Sequence, residues 1–273
     1  MKITIISDNY VDAACLVAEH GFSCLIETEG KKILFDTGQG NALLNNMKHL
    51  NIKKNVDLLV FSHGHYDHTG GLTKYFHELL EYTEEVYASE HIFDKHKKKV
   101  NGGNYAYIGV PGEQAYIERH YNVHYNTEMR EILPNVILSG PIKRFEDFDA
   151  DALLYVRIDD EYHKDMFRDE QYVVVREESG IHVITGCTHC GAVNLLKDVA
   201  EKFEGEQILS LTGGLHLFRS DEGQVKHVID YLKSADVKKI NTGHCTGLEA
   251  AMQMQQELGD RVTITKAGLI LSL

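Results

Sequence analysis

This chain of 273 residues is expected to fold as an α/β protein, and two stretches of its sequence predict it. From residue 181 onward a strand, a polar loop and a helix recur three times, with a histidine in every loop. Near residue 60 a short apolar strand, 57–62, runs directly into SHGHYDHTGGL. Length alone would accommodate one or two domains; the expectation is a single domain, 1–273, with an insertion at about 73–134.

The elements follow in order. Residues 2–7 read as a strand, and 22–28 with 32–35 as a hairpin turned at Glu29-Gly30. Residues 42–50 have helical spacing, with Leu43, Leu44, Met47 and Leu50 on one side. In the later half, strands are expected at 181–185, 207–211 and 239–242, and helices at 192–203, 224–234 and 248–258. The loops between them carry His189, His216 and His244 at strand C-terminal ends, where a rigid sheet can aim loop side chains at a common point. The insertion breaks this rhythm. It holds eight of the fourteen tyrosines and reads as helices and loops laid over the scaffold, either a lid or a satellite core.

Composition narrows the function classes. Hydrophobic residues at 43% and charged residues at 25% suit a globular chain. A formal net charge of −13 repels a phosphate backbone, which argues against a nucleic-acid partner. MKITIIS is too short for a signal-peptide core and no apolar run could span a membrane, so a cytoplasmic protein without a membrane partner is expected. The five cysteines, odd in number and irregularly spaced, read as reduced thiols. No G-x-x-x-x-G-K loop and no G-x-S-x-G elbow occurs, so nucleotide-loop and serine-hydrolase chemistry lack support.

The chemistry lies in Ser62–Leu72. His63 and His65 stand two apart in extended backbone, so both imidazoles leave one face and can grip one ion. Asp67 and His68 follow in a turn, where they can face a second ion. Gly64 leaves room for the neighbouring ligands, and Gly70-Gly71 lets the chain fold tightly away.

His63-x-His65-x-Asp67-His68 resembles the signature of the metallo-β-lactamase superfamily, and other features extend the likeness over nearly the whole chain. The resemblance implies a four-layer αβ/βα sandwich with two divalent ions at one edge of its sheets. One ion would take His63, His65 and His189, the last in GCTHCG. The other would take Asp67, His68 and His244, the last in TGHCTG. Asp36, in LFDTG, matches a buried aspartate that supports the ligand loop. One feature departs from the pattern. The loop that normally supplies a bridging aspartate reads LTGGLHL over 211–217, with no carboxylate. His216 could take that place, or water could, or the second ion could bind more weakly; a neutral imidazole offers only one lone pair.

Asp8-Asn9, Glu19-His20-Gly21-Phe22-Ser23, Gly186–His189 and Gly213–Leu217 narrow the resemblance to the dihydropterin-aminobenzene-ribofuranosyl-phosphate synthase-like subgroup. It would place Asn9, Glu19 and His20 at the substrate; Cys245, next to His244 in the sequence, reads either as a neighbour of the ligands or as a small buried apolar residue. The implied chemistry is hydrolysis of a phosphorylated or phosphoester small molecule by a metal-bound hydroxide, with Asp67 orienting it or taking its proton. Zinc is the expected metal, and manganese or iron suits the same ligands. Two alternatives stand beside this reading. One is a transferase joining a dihydropterin to a ribofuranosyl-aminobenzene phosphate; the other is a non-catalytic metal or ligand sensor.

The remaining candidates have plainer readings. Cys187 and Cys190 form C-x-x-C around His189, but no second C-x-x-C completes a zinc knuckle. His91, His96, His120 and His124 read as surface histidines. Lys95 and Lys97–Lys99 read as a solvated helix or loop face, or else as a patch for a phosphorylated substrate.

Overall fold

The computed structural model describes residues 1–273, which divide into two compact units. Unit 1 comprises Met1–Thr127, Ala152–Asp169 and Lys266–Leu273; unit 2 comprises Glu128–Asp151 and Glu170–Thr265. Each is a seven-stranded sheet bearing helices, which is the mixed α/β architecture the sequence predicts.

The large sheet of unit 1 runs, edge to edge, Ile270–Ser272, Lys2–Ser7, Ser23–Thr28, Lys31–Phe35, Leu58–Val60, Glu85–Ser89 and Asn122–Asn126. Its first four strands are antiparallel neighbours, and from Lys31–Phe35 onward the pairing is parallel. Parallel strands bury both faces, which is why Leu58–Val60 is apolar throughout and fully buried. Leu25, Leu34, Leu59, Phe61 and Val86 from this sheet pack with Leu43 and Met47 of helix Leu43–His49 and Leu72 of helix Tyr66–Lys74. Burying each such side chain contributes about 1.5–3 kcal/mol.

A second, four-stranded antiparallel sheet in unit 1 has the order Glu161–Lys164, Leu154–Ile158, Lys95–Lys99, Tyr105–Tyr107. Lys95–Lys99 is therefore a strand, contrary to the helix or loop face expected for it. Lysine's helical preference is worth only tenths of a kcal/mol, and pairing on both edges overrides it. Directly opposed residues share a face, so Lys95, Lys97 and Lys99 line up with Arg157, Lys164, Tyr105, Tyr107, Tyr155 and Tyr162. Tyr105 stacks on Tyr162 at 3.8 Å, and the Lys97 ammonium sits 5.1 Å from the Tyr107 ring. His96 alternates to the other face.

The stretch 73–134, expected as helices and loops, instead supplies strands: Glu85–Ser89 and Asn122–Asn126 to the large sheet of unit 1, and Arg130–Leu133 to that of unit 2. Its only α-helices are Phe76–Leu80 and Gln114–His120, apart from the last turn of Tyr66–Lys74. Tyr121 is core, and Tyr75, Tyr82 and Tyr125 pack against the core, so half of the eight tyrosines serve the main core of unit 1 rather than a satellite of it.

Unit 2's sheet runs Val262–Ile264, Lys239–Thr242, Ile208–Thr212, Gly180–Ile184, Val173–Glu177, Val136–Leu138 and Arg130–Leu133. The first four are parallel, as the strand–loop–helix repeat requires. Helices Ala192–Lys202, Glu222–Ser234 and Leu248–Leu258 pack Leu195, Val199, Val228, Leu232 and Met254 onto it. Asp221 and Gln224 close a reciprocal capping box at the start of the second helix. No helix in the chain is long and apolar enough to cross a membrane.

Candidate metal centre

In unit 1 the candidate ligands begin where the parallel strand Leu58–Val60 ends. The His63 ring lies 4.7 Å from His65 and 4.3 Å from His68, centroid to centroid, and all three side chains are buried. Asp67 and His68 occupy the first turn of helix Tyr66–Lys74, not the free turn expected from sequence. Gly70 and Gly71 likewise sit inside that helix. Their role is close approach: a Cβ on Gly71 would stand 2.4 Å from the Thr37 carbonyl oxygen, and one on Gly64 would stand 2.2 Å from that of Ile92.

Asp36 wires this group together. Held at φ +56° and fully buried, its carboxylate accepts from the Ser62 backbone N–H at 2.8 Å, Ser62 Oγ at 2.7 Å and His68 Nδ1 at 2.7 Å. Ser62 Oγ has one proton, and the carboxylate takes it. Oγ must therefore accept from His63 Nδ1, which lies 2.9 Å away. In the neutral form each of these two histidines carries its proton on Nδ1, which leaves the lone pair on Nε2. Burial pushes the His63 imidazolium well below its ordinary range, and the neighbouring His68 and His65 push it further. His65 falls to about 3, chiefly by burial and then by the charge on His96, with Asp67 opposing. Neutral, lone-pair-bearing imidazoles beside one carboxylate are the donor set a borderline divalent ion takes.

Of the three residues expected at the substrate, Glu19 has an internal task. Its carboxylate accepts from Ser7 Oγ and from the backbone N–H groups of Gly40, Asn41 and Ala42, at 2.7 to 3.2 Å. Four donors are enough to occupy it, so it holds the 40–42 loop rather than a ligand. His20 is half-exposed, with Nε2 at 3.2 Å from Asp67 Oδ2 and Nδ1 at 3.4 Å from Asn9 Nδ2. Asn9 Oδ1 also accepts from the Gly21 N–H.

Sequence reasoning missed a buried triad. His96, taken as a surface residue, is 1% exposed; Nδ1 meets Asp165 Oδ2 at 2.6 Å and Nε2 faces Asp169 Oδ2 at 3.2 Å. Its ring stands edge-on to His65 at 5.0 Å. Burial alone would lower it, but Asp169 and Asp165 raise it well above its ordinary value. Asp169 also accepts from the Gly64 N–H at 2.6 Å. The alternation of His96 among lysines was the available signal.

Unit 2 contributes His189, His216 and His244 from three loops at parallel-strand ends. His189 and His216 rings lie 4.2 Å apart. Thr188, His216 and His244 all have positive φ, at 61°, 49° and 45°, the kind of backbone strain that functional loops store. Glu170 supports the first loop by accepting from the N–H groups of His189 and Cys190 at 2.6 and 2.8 Å. Both ring nitrogens of His216 are buried without a hydrogen-bond partner. Cys187, His216 and Cys245 hold their ligand atoms within 4.8 Å of one another. Cys187 Sγ is also 3.3 Å from His244 Nε2. Cys190 packs into the apolar core, so C-x-x-C forms no knuckle.

These folds and ligand loops define a class. The chain belongs to the metallo-β-lactamase superfamily, whose sequence profile matches residues 17–244. Over its full length it is similar to a solved metal-dependent hydrolase of the β-lactamase superfamily, with a TM-score of 0.86 and 30% identity, covering 100% of this chain and 99% of that one. It is 30% identical over 272 residues to the 7,8-dihydropterin-6-methyl-4-(β-D-ribofuranosyl)-aminobenzene-5′-phosphate synthase of Methanocaldococcus jannaschii, covering 93% and 90% of the two chains. An uncharacterized protein of the same organism is 34% identical over 242 residues, 88% of each chain.

Proposed function

We propose that this chain is a metal-dependent hydrolase of a phosphorylated small molecule, its ions held by His63, His65, Asp67, His68, His189 and His244. The observation that carries the reading is the convergence of three buried imidazoles beside one carboxylate, with His63 and His65 held in the neutral form by burial and with Nδ1 of His63 and His68 engaged so that Nε2 is left to a ligand. A bound divalent ion supplies Lewis acidity and lowers the pKa of its water toward about 7. The protein's own residues do the rest. Asp36 fixes the His68 ring, and Ser62 fixes that of His63. Asp67 accepts the proton from the attacking water. His20, 3.2 Å from Asp67 and half-exposed, passes it to solvent.

The test is twofold. Purified His63→Ala and His189→Ala should each lose tightly bound metal by elemental analysis while remaining folded. Metal-loaded parent should hydrolyse p-nitrophenyl phosphate or its diester, and chelation should stop it. Unchanged metal in either variant overturns the ligand assignment.

The relative at 30% identity favours a second reading, a synthase joining a dihydropterin to a ribofuranosyl-aminobenzene phosphate. Product formed from dihydropterin diphosphate and that phosphate, without phosphoester hydrolysis, would decide for it. Tight metal binding with neither activity would leave the sensor reading.

A further inference from the structure

The centre lacks the bridging carboxylate of its family pattern, and the loop over 211–217 offers only His216 in its place. A neutral imidazole brings a lone pair but no charge, so His216 cannot restore the missing anion. The ligand-capable groups gathered in unit 2 are imidazoles and thiols. Its one carboxylate at this point, on Glu170, is turned to the backbone N–H groups of His189 and Cys190. Any anionic donor from this cluster must therefore be a thiolate.

Cys187 is the thiol so placed. It is buried, and Sγ is 3.3 Å from His244 Nε2 and within 4.8 Å of a ring nitrogen of His189 and of His216. All three are candidate ligands of the same unit, and both nitrogens of His216, 94% buried, have no hydrogen-bond partner. Cys187 precedes His189 by two residues, the spacing that His63 keeps to His65. Cys245 reinforces the geometry from the other side, its Sγ donating to the Cys187 carbonyl at 3.4 Å.

We propose that Cys187 binds metal as a thiolate beside His189 and His244, which the family pattern assigns to different ions, and supplies the negative charge that the missing aspartate would bring. The proposal rests on the metal-centre reading above and adds a prediction to it. A sulfur donor selects borderline and soft cations such as Zn²⁺, Co²⁺ or Cd²⁺ over Mn²⁺ and Mg²⁺. On binding, the thiol proton leaves to solvent and the sulfur lone pair forms the bond; nothing is oxidised or reduced.

Cobalt(II) titrated into metal-free protein tests it. The parent should develop visible ligand-field bands together with a strong near-ultraviolet thiolate-to-cobalt charge-transfer band. Cys187→Ser should lose the charge-transfer band, retain the visible ones and bind cobalt about tenfold or more weakly. Cys190→Ser, whose thiol packs in the apolar core outside the cluster, should keep both. A parent with visible bands but no charge transfer overturns the thiolate and leaves the metal centre standing. A parent that binds no cobalt overturns both. If Cys187→Ser fails to fold, mass mapping of maleimide labelling in the parent still decides. Zinc should slow labelling of Cys187 relative to the equally buried Cys190 under conditions that label both, and an equal effect of zinc on the two overturns the proposal.

Discussion

Each unit gathers its own histidines, and the two do so by different means. In unit 1 one continuous segment, Ser62–His68, carries the candidate donors, and the buried Asp36 grips it through side chains as well as backbone, taking the Ser62 hydroxyl, the His68 ring and the Ser62 N–H, while Asp169 takes the Gly64 N–H. In unit 2 three separate loops each bring one histidine. Their geometry is set by backbone, through positive φ at Thr188, His216 and His244 and through the Glu170 carboxylate on two N–H groups. Side-chain wiring fixes which ring nitrogen carries a proton; backbone wiring fixes where a loop goes and leaves the rings to be claimed by neighbours. That difference explains why His216 has two orphaned nitrogens, whereas His63 and His68 each have Nδ1 engaged.

The comparison breaks most visibly at Asp36. Asp36→Ala removes the acceptor for three buried donors, and urea unfolding should show a loss of about 3–5 kcal/mol. A loss below about 1 kcal/mol would mean the side-chain wiring of unit 1 is ornamental. Glu170→Ala orphans two backbone N–H groups and should cost less, about 2–4 kcal/mol by the same measurement. If Glu170→Ala proves the costlier, the contrast between the units is reversed. His96→Gln keeps an amide that can serve one carboxylate but not both, for an expected loss of about 1–3 kcal/mol.

The smallest effect belongs to Asp57, at the rim of the same sheet. Partial burial pushes its carboxyl up, but the Lys31 ammonium and the Lys32 N–H, both at 2.8 Å, outweigh that and hold it below its usual value. A depressed folded-state pKa gives stability that is present above the unfolded value and is lost as pH falls through the folded one. Asp57→Asn should therefore cost under about 1 kcal/mol at neutral pH and nothing in strong acid. A difference from the parent that persists in strong acid would show that the Asp57 effect is not electrostatic.

The same contrast explains what could be read in advance. His63, His65, Asp67 and His68 stand within six residues, so local spacing sufficed. The three strand–loop–helix units were equally plain, because each helix has its own apolar periodicity. His96 could not be placed without knowing that a strand of lysines pairs with Leu154–Ile158, and that the segment after the next strand, Glu161–Lys164, brings Asp165 and Asp169 to it. Pairing across such separations leaves no local trace. Cys187 was visible but was weighed with Cys190, as C-x-x-C, when the informative partner was His189 two residues on. Lys95, Lys97 and Lys99 of that strand face away from His96, whereas Lys98 shares its face, so the run is split between the two sides of the sheet.

One further consequence follows from the strand Ile270–Ser272, which pairs with Lys2–Ser7 at the edge of unit 1. During translation, every other strand of that sheet is made by residue 126, yet the last arrives only after all of unit 2. At about 5–20 residues per second, the delay is roughly 7–30 s. For that interval the ITII run of the first strand presents an open row of backbone donors and acceptors, the kind of edge to which other chains adhere. The nascent protein is therefore most in need of a chaperone while its other unit is being made, and the last strand ends that need by closing the sheet.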